Sequence, residues 1–355
     1  MVPLTTLKNT EKQNILALSL EDLAALIRKL GWKKYRADQI IAWIYKRFVS
    51  NFEQMTDLSR SDRQGLSEAF TLSHLKIAAH QKSEDGTEKF LFALEDGKKI
   101  ETVLIRSEKK RRTLCISSQA GCTLDCRFCL TAEEGLKRNL RAEEIINQFL
   151  TVQARLPESE PITNVVLMGM GEPLANLKAV TEACLRMIAP AGLSLSARRV
   201  TVSTAGLVPQ MKKLLQGPVP VNLSVSLNAT TNAIRNKIMP KVNRLYPLEV
   251  LMQACKQLPL PVRRSITFEY VMLEGINDSL EDAERLTHLT RGIPCKINLI
   301  PFNHYPGSPY QATPDAQILA FQNHLHRQRI RTTVRKSKGR DILAACGQLT
   351  SQFAQ

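Results

Sequence analysis

The chain predicts an α/β fold: an incomplete (β/α)6 barrel with a small helical domain before it and a β-hairpin adaptor between them. Three observations predict it. From about residue 112 onward, short β-rich runs alternate with segments of helical period, the pattern of strand–helix units with parallel strands. Residues 15–75 keep a helical period. Residues 75–106 switch to a strand period broken by Asp85-Gly86 and Asp96-Gly97, both strong turn signals.

Taken in order, Ser19-Leu20-Glu21-Asp22 reads as a capping box opening a helix that Gly31 ends. A second helix is expected over Ala37–Phe48, where Ile40, Ile41, Trp43, Ile44 and Phe48 recur at helical spacing. Strands are expected over Leu114–Ser117, Asn164–Leu167, Val200–Ser203, Asn222–Leu227, Ile266–Met272 and Lys296–Ile300. Helices are expected over Ala142–Gln153, Leu177–Ile188, Pro247–Leu258 and Leu280–Thr290. Catalytic groups of such a barrel gather at the C-terminal ends of its strands. The organisation that follows is a helical accessory domain over 1–75, a β-hairpin adaptor over 76–107, a core over 108–341 and a C-terminal segment over 342–355.

The 355 residues carry 49 Lys and Arg against 33 Asp and Glu, a formal charge of +16. A basic excess of that size points to a polyanionic partner, most often nucleic acid. It is concentrated in Lys33-Lys34-Tyr35-Arg36, Lys109-Lys110-Arg111-Arg112 and Arg331 through Arg340; each run alone is also what a solvated surface looks like. No run of eighteen or more apolar residues exists, so no membrane span is expected. No basic segment followed by an apolar stretch opens the chain, so a cytoplasmic location is expected. Eight cysteines in this length are no disulfide scaffold.

Three of those cysteines, Cys122, Cys126 and Cys129, form a Cys-x3-Cys-x2-Cys run. Three thiolates can hold an iron–sulfur cluster by three irons and leave the fourth open to a small molecule. Radical chemistry with S-adenosylmethionine (SAM) is one use of such a centre. Buried apolar thiols and a zinc ion with a distant fourth ligand are the competing readings. Gly169-Met170-Gly171-Glu172-Pro173 follows the strand Asn164–Leu167, where glycines let backbone approach a ligand and Glu172 can accept from an amino group. Ser203, Ser226, Asn228 and Asn303 are polar groups where other strands stop. Each alone is more often a cap or turn former, and together they line one rim. By spacing, Cys115, Cys346, Cys184, Cys255 and Cys295 read as buried structural thiols, and Glu101 as a surface strand residue.

From about residue 18 to residue 350 the chain resembles the RlmN family, the radical SAM adenine-C2 methyltransferases of 23S ribosomal RNA and transfer RNA. The resemblance is carried by Tyr35-Arg36-Ala37-Asp38-Gln39-Ile40, the cysteine run within Gly121–Cys129, Gly169–Pro173, Cys295-Lys296-Ile297-Asn298-Leu299-Ile300-Pro301 and Ala345-Cys346-Gly347-Gln348-Leu349. The cysteine run alone indicates only the radical SAM superfamily, whereas Cys115 and Cys346 in these contexts are far more specific. The resemblance implies a partial (β/α)6 radical SAM barrel, with a [4Fe-4S] cluster on Cys122, Cys126 and Cys129. SAM is then contacted by Gly171, Glu172, Ser203, Ser226, Leu227, Asn228 and Asn303. Some family members carry His where this chain has Asn228, which can still donate and accept.

The resemblance also implies roles for residues that spacing leaves as structural. Carbon 2 of adenine is electron-poor, so the methyl group is first placed on a thiolate, here Cys346. A radical from a second SAM then activates that methyl for addition to carbon 2. Glu101 matches the proton acceptor, and Cys115 the thiol that releases the product through a transient disulfide with Cys346. The implied partners are 23S ribosomal RNA and transfer RNA, with an electron donor of flavodoxin type. Nothing in the sequence demands more than a monomer. A sister family that methylates carbon 8 shares these cysteines. A radical SAM enzyme acting on a protein or small molecule fits Cys346 and the charge of +16 less well. A basic RNA-binding protein with a structural zinc is the non-enzymatic alternative.

Overall fold

The computed structural model describes residues 12–29, 31–107, 110–260 and 263–351. The opening of the accessory segment, Lys109 of the second basic run and the last residues of the C-terminal segment lie outside the described residues.

The N-terminal region is built from α1 (Leu20–Lys29), α2 (Lys34–Tyr45) and α3 (Arg60–Ala69). The N-cap half of the expected box forms: Ser19 Oγ accepts the Asp22 N–H at 3.0 Å and donates to Asp22 Oδ2 at 2.7 Å, and Gly31 follows in a left-handed conformation at φ 75°. Helix α2 lies three residues earlier than the apolar period predicts. Phe48 takes φ 55°, outside the helix, yet still packs on Phe149 with ring centroids 6.3 Å apart. The apolar spacing therefore outlasts the helix.

Ten strands form the main sheet. They are β1 (Lys76–Lys82), β2 (Glu88–Ala93), β3 (Lys99–Arg106), β4 (Arg112–Cys115), β5 (Asn164–Leu167), β6 (Val200–Thr204), β7 (Asn222–Ser226), β8 (Ile266–Met272), β9 (Cys295–Pro301) and β10 (Thr332–Val334). Their order in the sheet is their order in the chain. Strands β1 to β4 pair antiparallel and β4 to β10 parallel. The hairpin segment is thus no separate layer; it extends the barrel sheet. Its register puts Lys89 opposite Val103, and Val103 opposite Cys115, one row across three strands. Glu101 lies diagonal to both Lys89 and Cys115 on that face.

Helices α4 (Ala142–Gln153), α5 (Leu177–Ile188) and α8 (Leu280–Thr290) take their predicted bounds, and α7 (Leu248–Gln257) loses one residue at each end. Helices α6 (Val208–Gln216) and α9 (Asp315–Arg327) and strand β10 escape the sequence pattern. Pro209 falls in the first turn of α6, only Ile318, Phe321 and Leu325 bury the face of α9, and Thr332-Thr333-Val334 is too short for a strand period.

Arg186 on α5 is 2% exposed and ties the accessory region to the core. It donates to the Leu16 carbonyl at 2.5 Å and to Glu182 at 2.7 Å, beside the Tyr45 hydroxyl of α2. Replacing it with Met should lower stability by about 2–3 kcal/mol, the scale of a buried charged hydrogen bond. A urea midpoint equal to that of the parent chain would refute this docking role.

Candidate active site

After β4 the chain enters a short hairpin, Gln119–Gly121 paired with Leu136–Asn139, whose connecting loop holds the three clustered cysteines. The loop is pinned from several sides. Cys122 donates its N–H to the Gly135 carbonyl at 3.1 Å, Arg127 donates to Ile238 at 2.9 Å, and Lys241 N–H reaches Asp125 Oδ1 at 3.0 Å. Leu130 N–H donates to the Gly347 carbonyl at 2.7 Å, which joins this loop directly to the Cys346 segment.

Cys122, Cys126 and Cys129 all line one open cavity with about 950 Å³ of atom-free space, part of it continuous with solvent. Burial pushes the Cys122 thiol up to about 12, with the Cys129 thiolate adding to the push. Cys126 and Cys129 are raised by burial as well, and Cys122 and Cys129 add to the shift at Cys126. Three crowded thiols of this kind become thiolates together only beside added positive charge, which iron supplies. The donor set, three thiols on one loop lining one cavity, fits a cluster.

The SAM-contact candidates occupy the cavity rim unequally. Gly171 and Glu172 follow β5 and line the cavity. Gly171 sits at φ 99°, and a Cβ there would meet Gln119 Cβ at 2.5 Å, so only glycine fits. Glu172 accepts the Leu174 N–H at 3.0 Å through Oε1 and the Ala205 N–H at 2.8 Å through Oε2. Burial raises its carboxyl to about 7 despite these bonds. Ser203, Ser226 and Asn228 also line the cavity, from β6 and the end of β7. Asn228 adopts φ 56° and accepts the Val271 N–H at 2.9 Å, which aims the loop after β7 inward. Asn303, after β9, lines the cavity while donating to the Cys346 carbonyl at 3.2 Å. Leu227 is different: its side chain is fully buried in the core, and its N–H and carbonyl are taken by Glu269 and Arg235.

Cys346 lines the same cavity as the clustered cysteines. Cys115 lies behind it at the end of β4, 4% exposed. Burial pushes the Cys115 thiol up to about 12; the Cys346 thiolate adds to this, and Arg335 opposes it. Arg335, just after β10, is held by its N–H to the Leu299 carbonyl at 2.8 Å. Its guanidinium is stabilised first by Cys346, then by Glu269 and Cys115. All eight cysteines are free thiols, so the transient disulfide implied for Cys115 and Cys346 is absent here and the pair is reduced.

Glu101 was read from spacing as a surface residue, and it is fully buried. Lys89 Nζ stands 3.0 Å from Oε1, and Thr350 N–H donates to Oε2 at 2.9 Å. Burial raises the carboxyl to about 7, and Lys89 pulls it back down. Glu101 does not line the cavity; it lies under the segment Gly339–Ser351. Sequence reasoning missed Arg335, Glu269 and Lys89. Only Glu269 left a signal, a lone charge between Phe268 and Tyr270 inside the apolar strand Ile266–Met272.

Gly347 marks where the Cys346 segment meets the cysteine loop. It sits at φ 85°, and a Cβ would lie 3.1 Å from the Phe128 carbonyl oxygen. Gly347→Ala should loosen the segment by about 1–2 kcal/mol, the cost of a left-handed non-glycine residue. Hydrogen exchange over residues 339–351 should speed up, and an unchanged exchange profile would contradict this packing.

Residues 13–72 match the family described as "Ribosomal RNA large subunit methyltransferase N-terminal domain", and residues 116–287 match "Radical SAM superfamily". The "Dual-specificity RNA methyltransferase RlmN" of Syntrophobacter fumaroxidans is 48% identical over 335 residues, 94% of this chain and 97% of that protein. Its namesake from Geotalea uraniireducens is 49% identical over 97% of this chain and 98% of that protein. A crystal structure of a radical SAM methyltransferase from Sphaerobacter thermophilus superposes with a TM-score of 0.91 at 39% identity, covering 96% of this chain and all of that one.

Proposed function

Because this chain belongs to the RlmN family of dual-specificity RNA methyltransferases, within the radical SAM superfamily, we propose that it methylates carbon 2 of adenosine. The substrates are 23S ribosomal RNA at the peptidyl-transferase centre and transfer RNA next to the anticodon. A [4Fe-4S] cluster and SAM are the cofactors of this RNA methyltransferase. Cys122, Cys126 and Cys129 would hold the cluster. Gly171, Glu172, Ser203, Ser226, Asn228 and Asn303 would hold SAM, and Leu227 would take part only through the second lone pair of its carbonyl. When bound, the cluster and SAM supply the methyl group and the radical that activates it.

The chain's own residues do the rest. Cys346 accepts the methyl group, with the Arg335 guanidinium beside it. The methyl carbon on Cys346 gives up one hydrogen atom and bonds carbon 2 of the adenine, which must leave its stack to reach the cavity. Glu101 takes the carbon-2 proton as the adduct's unpaired electron leaves to the electron-transfer partner. Cys115 then attacks the Cys346 sulfur and frees the methylated RNA. A flavodoxin-type protein donates the electrons, and the enzyme works as a monomer in the cytoplasm. Among the described residues no helix is long and apolar enough to cross a membrane. Residues 1–75 form an RNA-gripping accessory domain, 76–107 the adaptor, 108–341 the radical SAM core and 342–355 the segment carrying the methyl. Lys33, Lys34 and Tyr35 lie exposed on the accessory domain, open to RNA.

The observation that carries this reading is Cys346 lining one cavity with the three clustered cysteines while adjoining Cys115 and Arg335. Its test is peptide mass mapping after incubation with deuterated-methyl SAM. Label on the Cys346 peptide is the expected result. Label absent from that peptide while RNA becomes methylated would overturn the relay.

A further inference from the structure

A second cavity, with about 330 Å³ of atom-free space, lies on the other side of Cys346. Ile300, Asn303, Arg335 and Cys346 line both cavities. The two differ in charge. The first holds the carboxylates Glu172 and Glu269 and one cation, Arg335. The second is lined by Arg335, Lys336 and Lys338 and by no carboxylate. The acidic group paired there is Asp85, at 3.9 Å from Lys338 Nζ. Among the described residues Lys336, exposed at the rim, makes no ion pair.

Between the two lysines, Ser337 Oγ lines the second cavity, buried and without a hydrogen-bond partner. A buried hydroxyl lacking a partner calls for an explanation, and an oxygen-bearing ligand is one. The strip is also held in place before any ligand arrives. Arg335 N–H is fixed on the Leu299 carbonyl at 2.8 Å. Four residues on, Gly339 N–H donates to Asp85 Oδ2 at 3.0 Å, and the Asp341 carboxylate accepts from Ser83 Oγ at 2.6 Å. The hairpin turn between β1 and β2 thus anchors one end of the strip, and strand β9 the other.

We propose that this second cavity seats a backbone phosphodiester of the RNA strand next to the target adenosine, with Lys336, Ser337 and Lys338 as its partners. Phosphate contacts of this kind set register without reading sequence. Because the cavity opens on Cys346, a phosphate held there places the base of its own nucleotide at the methyl-bearing sulfur. The assignment rests on the reading of RNA as substrate.

The test uses the full-length holoprotein and an unmodified transfer RNA assembled by ligation. A single uncharged methylphosphonate is placed at either phosphate flanking the target adenosine. Wild-type affinity should fall about tenfold at one of the two positions, the scale of a charge-assisted contact. The Lys336→Gln/Lys338→Gln variant should bind unmodified RNA about tenfold more weakly, with a salt slope lower by about 1, and should not respond further to the methylphosphonate. A Lys33→Gln/Lys34→Gln variant should still respond to it. SAM affinity and melting temperature report folding, and the exposed Lys336→Gln single variant carries the test if the double variant fails to fold. Undiminished sensitivity to the methylphosphonate in the cavity variant, or no sensitivity in the wild type, overturns the cavity assignment alone. A wild-type protein that binds no RNA overturns both the assignment and the RNA reading.

Discussion

Cys115→Ala should accumulate protein covalently joined to RNA. In the proposed relay the Cys115 thiolate attacks the Cys346 sulfur, and a sulfur–sulfur bond forms. The bond from that sulfur to the RNA methylene breaks with its electron pair on carbon, which takes a proton and becomes methyl. A cytosolic reductant then returns the disulfide to two thiols. Cys115 is placed for this step and little else: buried, at the end of β4, with Cys346 and Arg335 as its charged neighbours. Alanine removes the attacking sulfur and leaves the Cys346 segment, held by Asn303, Leu130 and Thr131, intact. Turnover should fall on the order of 10³-fold or more, the scale of losing one member of a catalytic unit. A denaturing gel should show an RNA-retarded band that ribonuclease collapses. Wild-type turnover without such a band would remove Cys115 from the mechanism.

Glu101→Gln should lower product formation by about 10²- to 10⁴-fold, the contribution of a positioned general base. Glutamine keeps one acceptor, for Lys89 or for the Thr350 N–H, turns its NH2 toward the other donor, and cannot take a proton. The pH dependence follows from the same site. Burial raises the Glu101 carboxyl to about 7, against the pull of Lys89. Below that value the group is protonated and idle as a base; above it the carboxylate is ready. Single-turnover rates limited by proton removal should therefore climb from pH 6 to 8 and level off. Lys89→Met removes the cation and should move the midpoint upward. A midpoint unmoved by Lys89→Met, or a pH profile retained in Glu101→Gln, would assign the proton to another group. Thr350 N–H covers Glu101 Oε2 here, so the proposed base role requires that part of the C-terminal segment move when adenine is bound.

The sequence made the scaffold legible where period and turn chemistry act locally. Helices α4, α5 and α8 and strands β5 and β8 take their predicted bounds because apolar residues recur along each at the period of its own element. Strand β10 was hidden because three residues carry no period; its pairing with β9 makes it a strand. The cysteine loop was legible because its three ligands lie within eight residues. Cys115 and Cys346 were not, since 231 positions of chain separate them and only the sheet brings them together. Spacing made both structural thiols, and only the resemblance gave them roles. Arg335 shows the same limit: within Arg331–Arg340 it counts as one more charge, and its selective place beside two thiols exists only in the fold. Glu101 was misread because alternation on a strand implies a solvent face, whereas this strand is covered on both sides.

The most direct test of the central claim is the chemical identity of the product. Reconstituted protein would be incubated with deuterated-methyl SAM, a reductant and 23S ribosomal RNA lacking the modification. The digested nucleosides would then be compared by mass spectrometry with 2-methyl- and 8-methyladenosine standards. The account predicts labelled 2-methyladenosine, lost in Cys346→Ala. Labelled 8-methyladenosine would contradict the carbon-2 assignment while keeping the site, and no labelled adenosine despite an intact cluster and cleaved SAM would contradict the substrate.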